Sequence, residues 1–226
     1  MKNAILALCT FLLVMAATPS TRAADETAKP PAATLEELDK RIAKILSDAK
    51  VPGVSVTVIE NSQIVLTKGY GYADLKAKRP VTPEIVFRAG SISKSFTSVA
   101  IMMLVEEGKL SLDAKLSDLM PELKYDNPWE ATHPIRLVHL LEHTTGFDDI
   151  TFRHYLLEGK DVPLSKAVNL YGPYKSRWKP GTMTAYCNSG PVIAGRIIEK
   201  VTEQRFQDFI ATRITGPLAM ESAYWT

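Results

Sequence analysis

Residues 87–97 read Phe87-Arg88-Ala89-Gly90-Ser91-Ile92-Ser93-Lys94-Ser95-Phe96-Thr97. Within this stretch Ser91 and Lys94 form an S-x-x-K tetrad, and on a helix two side chains three residues apart share a face. A serine hydroxyl is a poor nucleophile until a base takes its proton, and a lysine amine of lowered pKa held one turn away can serve as that base. A serine at the first turn of a helix also has its own backbone N–H at the positive end, where it can stabilise an oxyanion. The string alone selects nothing, because at ordinary Ser and Lys frequencies about one match arises by chance in a chain of this length. Ser47-Asp48-Ala49-Lys50 and Ser176-Arg177-Trp178-Lys179 spell it equally well. Ser47 falls near the end of an expected helix, and Ser176 in a loop that runs into Pro180-Gly181. Ser91 follows a strand-like run and a glycine, and it begins a helix that is apolar on nearly every side to about Val105, as a helix at the centre of a protein should be.

Working outward, Thr34 with Glu37 makes a capping box, and Leu35, Leu38, Ile42, Ile45, Leu46 and Ala49 give the following helix an apolar face. Pro52-Gly53 ends it. Val54, Val56 and Val58 alternate with Ser55 and Thr57, and Ile64 and Leu66 with Gln63 and Thr67, around Asn61-Ser62: the pattern of an antiparallel hairpin. Gly69, Gly71 and Pro80 are expected to break it. From Gly108 to Thr184, Pro121, Pro128, Pro134, Pro163, Pro173 and Pro180 punctuate short helices and long loops, a helical lobe. Asn188 or Ser189 caps a helix with Pro191 in its first turn and Ile193, Ile197, Ile198 and Val201 on one face. A last helix is expected from about Glu203 to Ile214, with Phe206, Phe209 and Ile210 inward.

A second proton-handling group is needed, and two Y-x-N strings offer one. Tyr125-Asp126-Asn127, followed by Pro128, reads as a surface turn. Tyr186-Cys187-Asn188 lies between Pro180-Gly181 and a helix cap, where a phenol can be held against a cleft; beside a lysine ammonium it gives up its proton more readily. His139-Leu140-Leu141-Glu142-His143 matches H-x-x-E-H, the inverted zinc-protease motif, which makes zinc an alternative chemistry, although Thr144-Thr145-Gly146 ends the helix at once and no third ligand is defined. His133 and His154 read as solvent or core histidines. No G-x-S-x-G occurs, so a Ser-His-Asp hydrolase has little support. Trp129, Trp178 and Trp225 are expected in packing rather than on a cleft rim.

The runs FRAGSISKSFT (Phe87 to Thr97), HLLEHTTGF (His139 to Phe147) and Pro180 to Ile198 with its Tyr-Cys-Asn together resemble the serine beta-lactamase-like family: class C beta-lactamases, D-Ala-D-Ala carboxypeptidases, D-aminopeptidases and related carboxylesterases. The likeness covers most of Thr34 to Met220, with the motifs in the family's order. It implies an α+β fold in which an antiparallel sheet is packed by helices beside a helical lobe. It also implies roles: Ser91 as acylated nucleophile, Lys94 as its proton-transfer partner, Tyr186 as second acid/base, and Asn188 as a side chain that binds the substrate amide or orients the lysine. Cys187 stands where serine is commoner, with its side chain expected to point away from the reaction. The family's Lys-Thr-Gly-like triplet is absent, and the 38 residues after Asn188 read as helices. The expectation is therefore an incomplete sheet in a partial domain, residues 34–226, with 34–90 and 189–226 as its α/β part and 91–188 as its lobe. Such a chain should turn over little. The reaction implied is an acyl-enzyme formed on an ester, a beta-lactam or a D-amino-acid peptide, with no cofactor; the alternative is a non-catalytic peptidoglycan- or penicillin-binding module.

Composition fits an exported globular protein. Lys2 with the apolar run Ala4 to Ala17 and Thr21-Arg22-Ala23 reads as a signal peptide over residues 1–23, followed by a Lys, Pro and Ala leader over 24–33. The apolar run is short of the ~20 residues needed to span a bilayer, so no stable membrane insertion is expected after cleavage, and the location is periplasmic or secreted. The chain carries 27 Lys plus Arg and 25 Asp plus Glu; without Lys2 and Arg22 the balance is 25 against 25, which leaves no basic surplus for nucleic acid. Cys9 is lost with the signal, and Cys187 is left without a disulfide partner. A small-molecule or peptide substrate is the expected partner; nothing sets an oligomeric state.

Overall fold

The computed structural model describes residues 34–150 and 162–225. The expected signal peptide and leader, and His154, lie outside the described residues. The chain divides into two compact units, residues 1–85 and 86–226.

In the first unit α1 runs over Leu35–Asp48, and Thr34 Oγ1 accepts a hydrogen bond from the Glu37 amide at 3.1 Å, as the capping pattern predicts. Ion pairs Glu36–Lys40, Glu37–Arg41 and Lys44–Asp48 line its solvent side at i,i+4 spacing. None of its residues is buried, and Leu35 and Ile45 of the apolar face are exposed. Strand β1 (Gly53–Glu60) pairs antiparallel with β2 (Gln63–Asp74), from Glu60 opposite Gln63 to Gly53 opposite Gly71. Asn61 and Ser62 form the turn with φ of 48° and 62°, the pair of left-handed residues whose twist matches a two-residue hairpin. Asp39 ties α1 to β2, accepting from Lys68 Nζ at 2.8 Å and Tyr70 Oη at 2.6 Å.

Gly69 and Gly71 do not end the strand. A Cβ on Gly69 would lie 2.2 Å from the Val81 carbonyl oxygen, and one on Gly71 2.3 Å from that of Pro52. The glycines let neighbouring backbone close on β2, which continues to Asp74 and pairs with the short β3 (Arg79–Pro80). The described sheet is thus three antiparallel strands in the order β1-β2-β3.

In the second unit the strand-like run before Ser91 is irregular, with no strand over residues 86–89. Ser91 lies in a 3-10 turn, Gly90–Ile92, that runs straight into α2 (Ser93–Glu106), so the α-helix proper begins two residues later than the pattern suggests. Gly90, at φ 54°, makes the bend into this turn. Helix α2 is not apolar-packed all round: Thr97, Ala100, Ile101 and Leu104 are buried, while Val99 and Met102 of the same helix are exposed.

This unit continues with α3 (Leu116–Leu119), β4 (Tyr125–Asp126), α4 (Leu137–Leu141), α5 (Leu164–Leu170) and β5 (Tyr174–Lys175). Tyr125 is not in a surface turn: it pairs in parallel with Tyr174 and packs half-buried against Phe147. Helix α6 (Ser189–Thr202) packs on α2, α4, α5 and α7 (Phe206–Ile210). Its Ile193, Ile197 and Ile198 meet Ile101, Leu104, Leu137, Leu140 and Phe209 in one core, each fully buried aliphatic or aromatic side chain contributing about 1.5–3 kcal/mol. The final helix is shorter than the pattern suggests, since Ala211–Thr215 widens into a π-helical turn. Trp225 packs edge-on against Phe96 and Phe206.

Candidate active site

The turn before α2, helix α2 and the segment before α6 bring two of the predicted residues onto the hydroxyl of a third. Lys94 Nζ donates to Ser91 Oγ at 3.0 Å, and Tyr186 Oη lies 2.6 Å from the same oxygen. Lys94 Nζ also donates to Asn188 Oδ1 at 2.6 Å, and it sits 4.9 Å from the centre of the Tyr186 ring, in cation–π range. All four expected residues, Ser91, Lys94, Tyr186 and Asn188, therefore converge. Ser91 is exposed and Tyr186 is 52% exposed, so the hydroxyl is reachable from solvent.

The two other S-x-x-K strings have ordinary structural uses. Ser47 lies in the last turn of α1, and buried Ser176 donates its hydroxyl to the Thr145 carbonyl at 2.8 Å. The two Y-x-N tyrosines part in the same way. Burial, with Glu130 beside it, pushes the Tyr125 phenol up to about 12, whereas hydrogen bonds with Lys94 and Ser91, reinforced by the Lys94 charge, draw Tyr186 below its ordinary value. A phenol that ionises more easily is a better proton acceptor near neutral pH, so only the second tyrosine has an acid–base environment suited to the serine.

Why Tyr186 stands where it does follows from His143, which the sequence offered only as half of the H-x-x-E-H string. His143 has φ 60°; its carbonyl accepts from the Ala185 amide at 2.9 Å and its Nδ1 from the Cys187 amide at 3.3 Å. These bonds hold the residues on either side of Tyr186, and the imidazole stacks on the phenol with ring centres 4.6 Å apart. Burial, and then the Lys94 charge, lower the His143 pKa, which keeps the ring neutral and Nδ1 free to accept. Cys187 turns the other way, into the core, and is buried.

The zinc alternative meets a different arrangement. Helix α4 stops at Leu141, so His139 and His143 do not share a helical face, and His139 Nδ1 accepts from the Arg136 amide at 3.1 Å. Each histidine thus spends one ring nitrogen on a backbone amide, and among the described residues no three His, Cys, Asp or Glu side chains converge.

Asn188 occupies the N-cap position of α6 without capping it through its side chain. Its carboxamide bridges instead: Oδ1 toward Lys94, and Nδ2 toward Asp149 at 3.1 and 3.2 Å. The sequence reading missed Asp149, whose carboxylate also accepts the Asn188 amide at 2.7 Å. An aspartate in a loop 39 residues upstream carries no periodic or spacing signal that could have marked it.

Residues 38–226 match the family model described as Beta-lactamase. The chain is 29% identical over 185 residues to Protein flp of Staphylococcus aureus (strain N315), a match that covers 82% of this chain and 37% of that protein. Among solved structures it is similar to the octameric penicillin-binding protein homologue from Pyrococcus abyssi, at 32% identity and a TM-score of 0.69, over 82% of this chain and 43% of that one. It is also similar to the D-amino acid amidase from Ochrobactrum anthropi SV3, at 29% identity and a TM-score of 0.69, over 81% of this chain and 51% of that one. The chain therefore spans between about a third and a half of the length of these relatives.

Proposed function

The chain belongs to the Beta-lactamase family, and on that premise we propose that it is an exported serine hydrolase of the S-x-x-K type that forms an acyl-enzyme on Ser91. The observation that carries this reading is the single oxygen, Ser91 Oγ, within hydrogen-bond reach of both the Lys94 amine and the Tyr186 phenol. In acylation Ser91 Oγ attacks a carbonyl carbon. The Oγ–C bond forms, the Ser91 proton passes to the Lys94–Tyr186 pair, and the bond from carbon to the leaving oxygen or nitrogen breaks as that atom takes the proton. In deacylation a water attacks the ester, gives its proton to the same pair, and releases a carboxylic acid while Ser91 recovers its hydrogen. Asn188 orients Lys94 throughout.

The substrate is an activated carboxyl derivative: an ester, a beta-lactam or a D-amino-acid amide or peptide. Similarity to a D-amino acid amidase and a penicillin-binding protein homologue supports this range without choosing within it. Export is supported by Lys2, the apolar run Ala4 to Ala17 and Thr21-Arg22-Ala23, and it predicts a mature chain that begins at Ala24. Among the described residues no helix is long and apolar enough to cross a membrane.

Single-turnover labelling tests the reading, because it requires acylation but not release. Incubation with a fluorescent penicillin and, separately, with an activated phosphonate, followed by intact-mass and peptide mass spectrometry, should place one adduct on Ser91 and none in Ser91→Ala. An adduct that persists in Ser91→Ala overturns Ser91 as the nucleophile, and no adduct with either probe overturns the catalytic reading in favour of a binding module.

A further inference from the structure

We infer that Asp149 is a positioning residue for this site, acting through Asn188 to fix which end of its carboxamide faces Lys94. The inference rests on the functional reading above. A side-chain amide has a donor end and an acceptor end of nearly equal size, so its direction is set by its partners. On one side of Asn188 stands the Lys94 ammonium, 2.6 Å from Oδ1. On the other stands the Asp149 carboxylate, 3.1 and 3.2 Å from Nδ2. Reversed, the amide would set its NH2 against an ammonium and its oxygen against a carboxylate. A donor on one side and an acceptor on the other therefore select one orientation, and an acceptor does this whether or not it carries a charge.

The carboxylate is itself anchored. Asp149 Oδ1 accepts from the Asn188 amide at 2.7 Å and from the Ile150 amide at 2.8 Å. Beside it, the Asp148 carbonyl accepts from Ser189 Oγ at 3.4 Å, and the Asp148 carboxylate pairs with Arg177 at 2.5 Å. The Asp148–Asp149 loop is thereby fastened to the start of α6, beside Asn188 at its N-cap position. Without Asp149 the Asn188 amide loses the contact that disfavours reversal, and Lys94 loses the acceptor that aims it at Ser91.

The test is the rate of phosphonate acylation in Asp149→Ala, Asp149→Asn and Asn188→Ala, with the side-chain amide signal of Asn188 followed in nitrogen-labelled protein. A misaligned catalytic group can cost up to about 100-fold, so Asp149→Ala should slow acylation by about 10- to 100-fold. Asp149→Asn retains a carbonyl acceptor but no charge and should recover most of the rate, which separates positioning from a through-space charge effect. In an Asn188→Ala background, Asp149→Ala should add less than about twofold, because residues that act through one another are not additive. The Asn188 amide signal should move in Asp149→Ala. A wild-type rate in Asp149→Ala, equal losses in the Ala and Asn variants, or full additivity with Asn188→Ala overturns the inference. If wild type itself is not acylated, the functional reading fails by that result, and an Asn188 amide signal unmoved by Asp149→Ala overturns the positioning role separately, just as a moved one upholds it.

Discussion

Ser91 Oγ and Tyr186 Oη lie 2.6 Å apart although 95 residues separate them in the chain. In the proposed reaction the phenol shares the serine proton with Lys94. Removing the phenolic oxygen in Tyr186→Phe keeps the ring stacked on His143 and takes away only the acid–base group. Positioned acid–base groups contribute roughly 100- to 10,000-fold, so the acylation rate should fall by at least about 100-fold with the thermal midpoint unchanged. Stopped-flow phosphonate labelling measures it; a loss under threefold would leave Lys94 to act without the phenol.

The direction of the Tyr186 shift fixes a pH profile. Its hydrogen bonds with Lys94 and Ser91, and then the Lys94 charge, lower its pKa, while burial and Asp149 oppose them. For an acid, a lower pKa means more of the deprotonated, proton-accepting form at a given pH. Acylation should therefore rise with pH through a midpoint below the ordinary phenol value of about 10, and in Lys94→Ala the Tyr186 titration should move up. Isotope-labelled tyrosine followed by NMR gives that titration residue by residue, with Tyr125 and Tyr70, both pushed up to about 12, as internal controls. Tyr186 titrating alongside those two would contradict the assigned environment.

The sequence disclosed those parts of this molecule whose causes are local. Thr34, Glu37 and the apolar spacing marked α1, and alternation around Asn61-Ser62 marked the hairpin, because capping and strand alternation are set within a few residues. Gly69 and Gly71 read as breakers because the Val81 and Pro52 carbonyls that require them approach from elsewhere in the chain. Tyr125 read as a turn for the same reason: its partner, Tyr174, is distant in sequence. At the site, the convergence of Ser91, Lys94, Tyr186 and Asn188 was expected from the S-x-x-K and Y-x-N strings together with the family resemblance. His143 and Asp149 were not, since each acts on a neighbour's backbone or amide, which any of several residue types could do.

The hairpin turn offers a stability prediction. Ser62 holds φ 62°, a conformation that costs an L-residue roughly 1–2 kcal/mol and glycine almost nothing. Asn-Gly is the favoured pair for such a turn, so Ser62→Gly should stabilise the hairpin by about 0.5–1 kcal/mol, less than the full relief because glycine gains entropy when unfolded. Amide hydrogen exchange across β1 and β2 reads this directly. Faster exchange in the variant would mean that the Ser62 side chain contributes a contact that outweighs its backbone strain.

Gly190 sets how closely the start of α6 approaches the end of α4. A Cβ there would lie 2.6 Å from the Leu140 carbonyl oxygen, a backbone atom that cannot swing aside as a side chain would. Gly190→Ala must therefore push α6 away from α4, and overpacking of this kind costs about 1–3 kcal/mol. At about 2–4 °C per kcal/mol for a chain of this size, the thermal midpoint should drop by roughly 2–12 °C. Because Asn188 lies two residues before the glycine, the same shift should draw its carboxamide off Lys94 and slow acylation. Gly108→Ala is the matched control: at φ 70° with nothing within 4 Å of the added methyl, it carries backbone strain alone and lies outside the converging residues. Equal destabilisation by the two substitutions, with acylation unaffected in both, would show that α6 tolerates the displacement and that the close approach at Gly190 does not hold Asn188 in place.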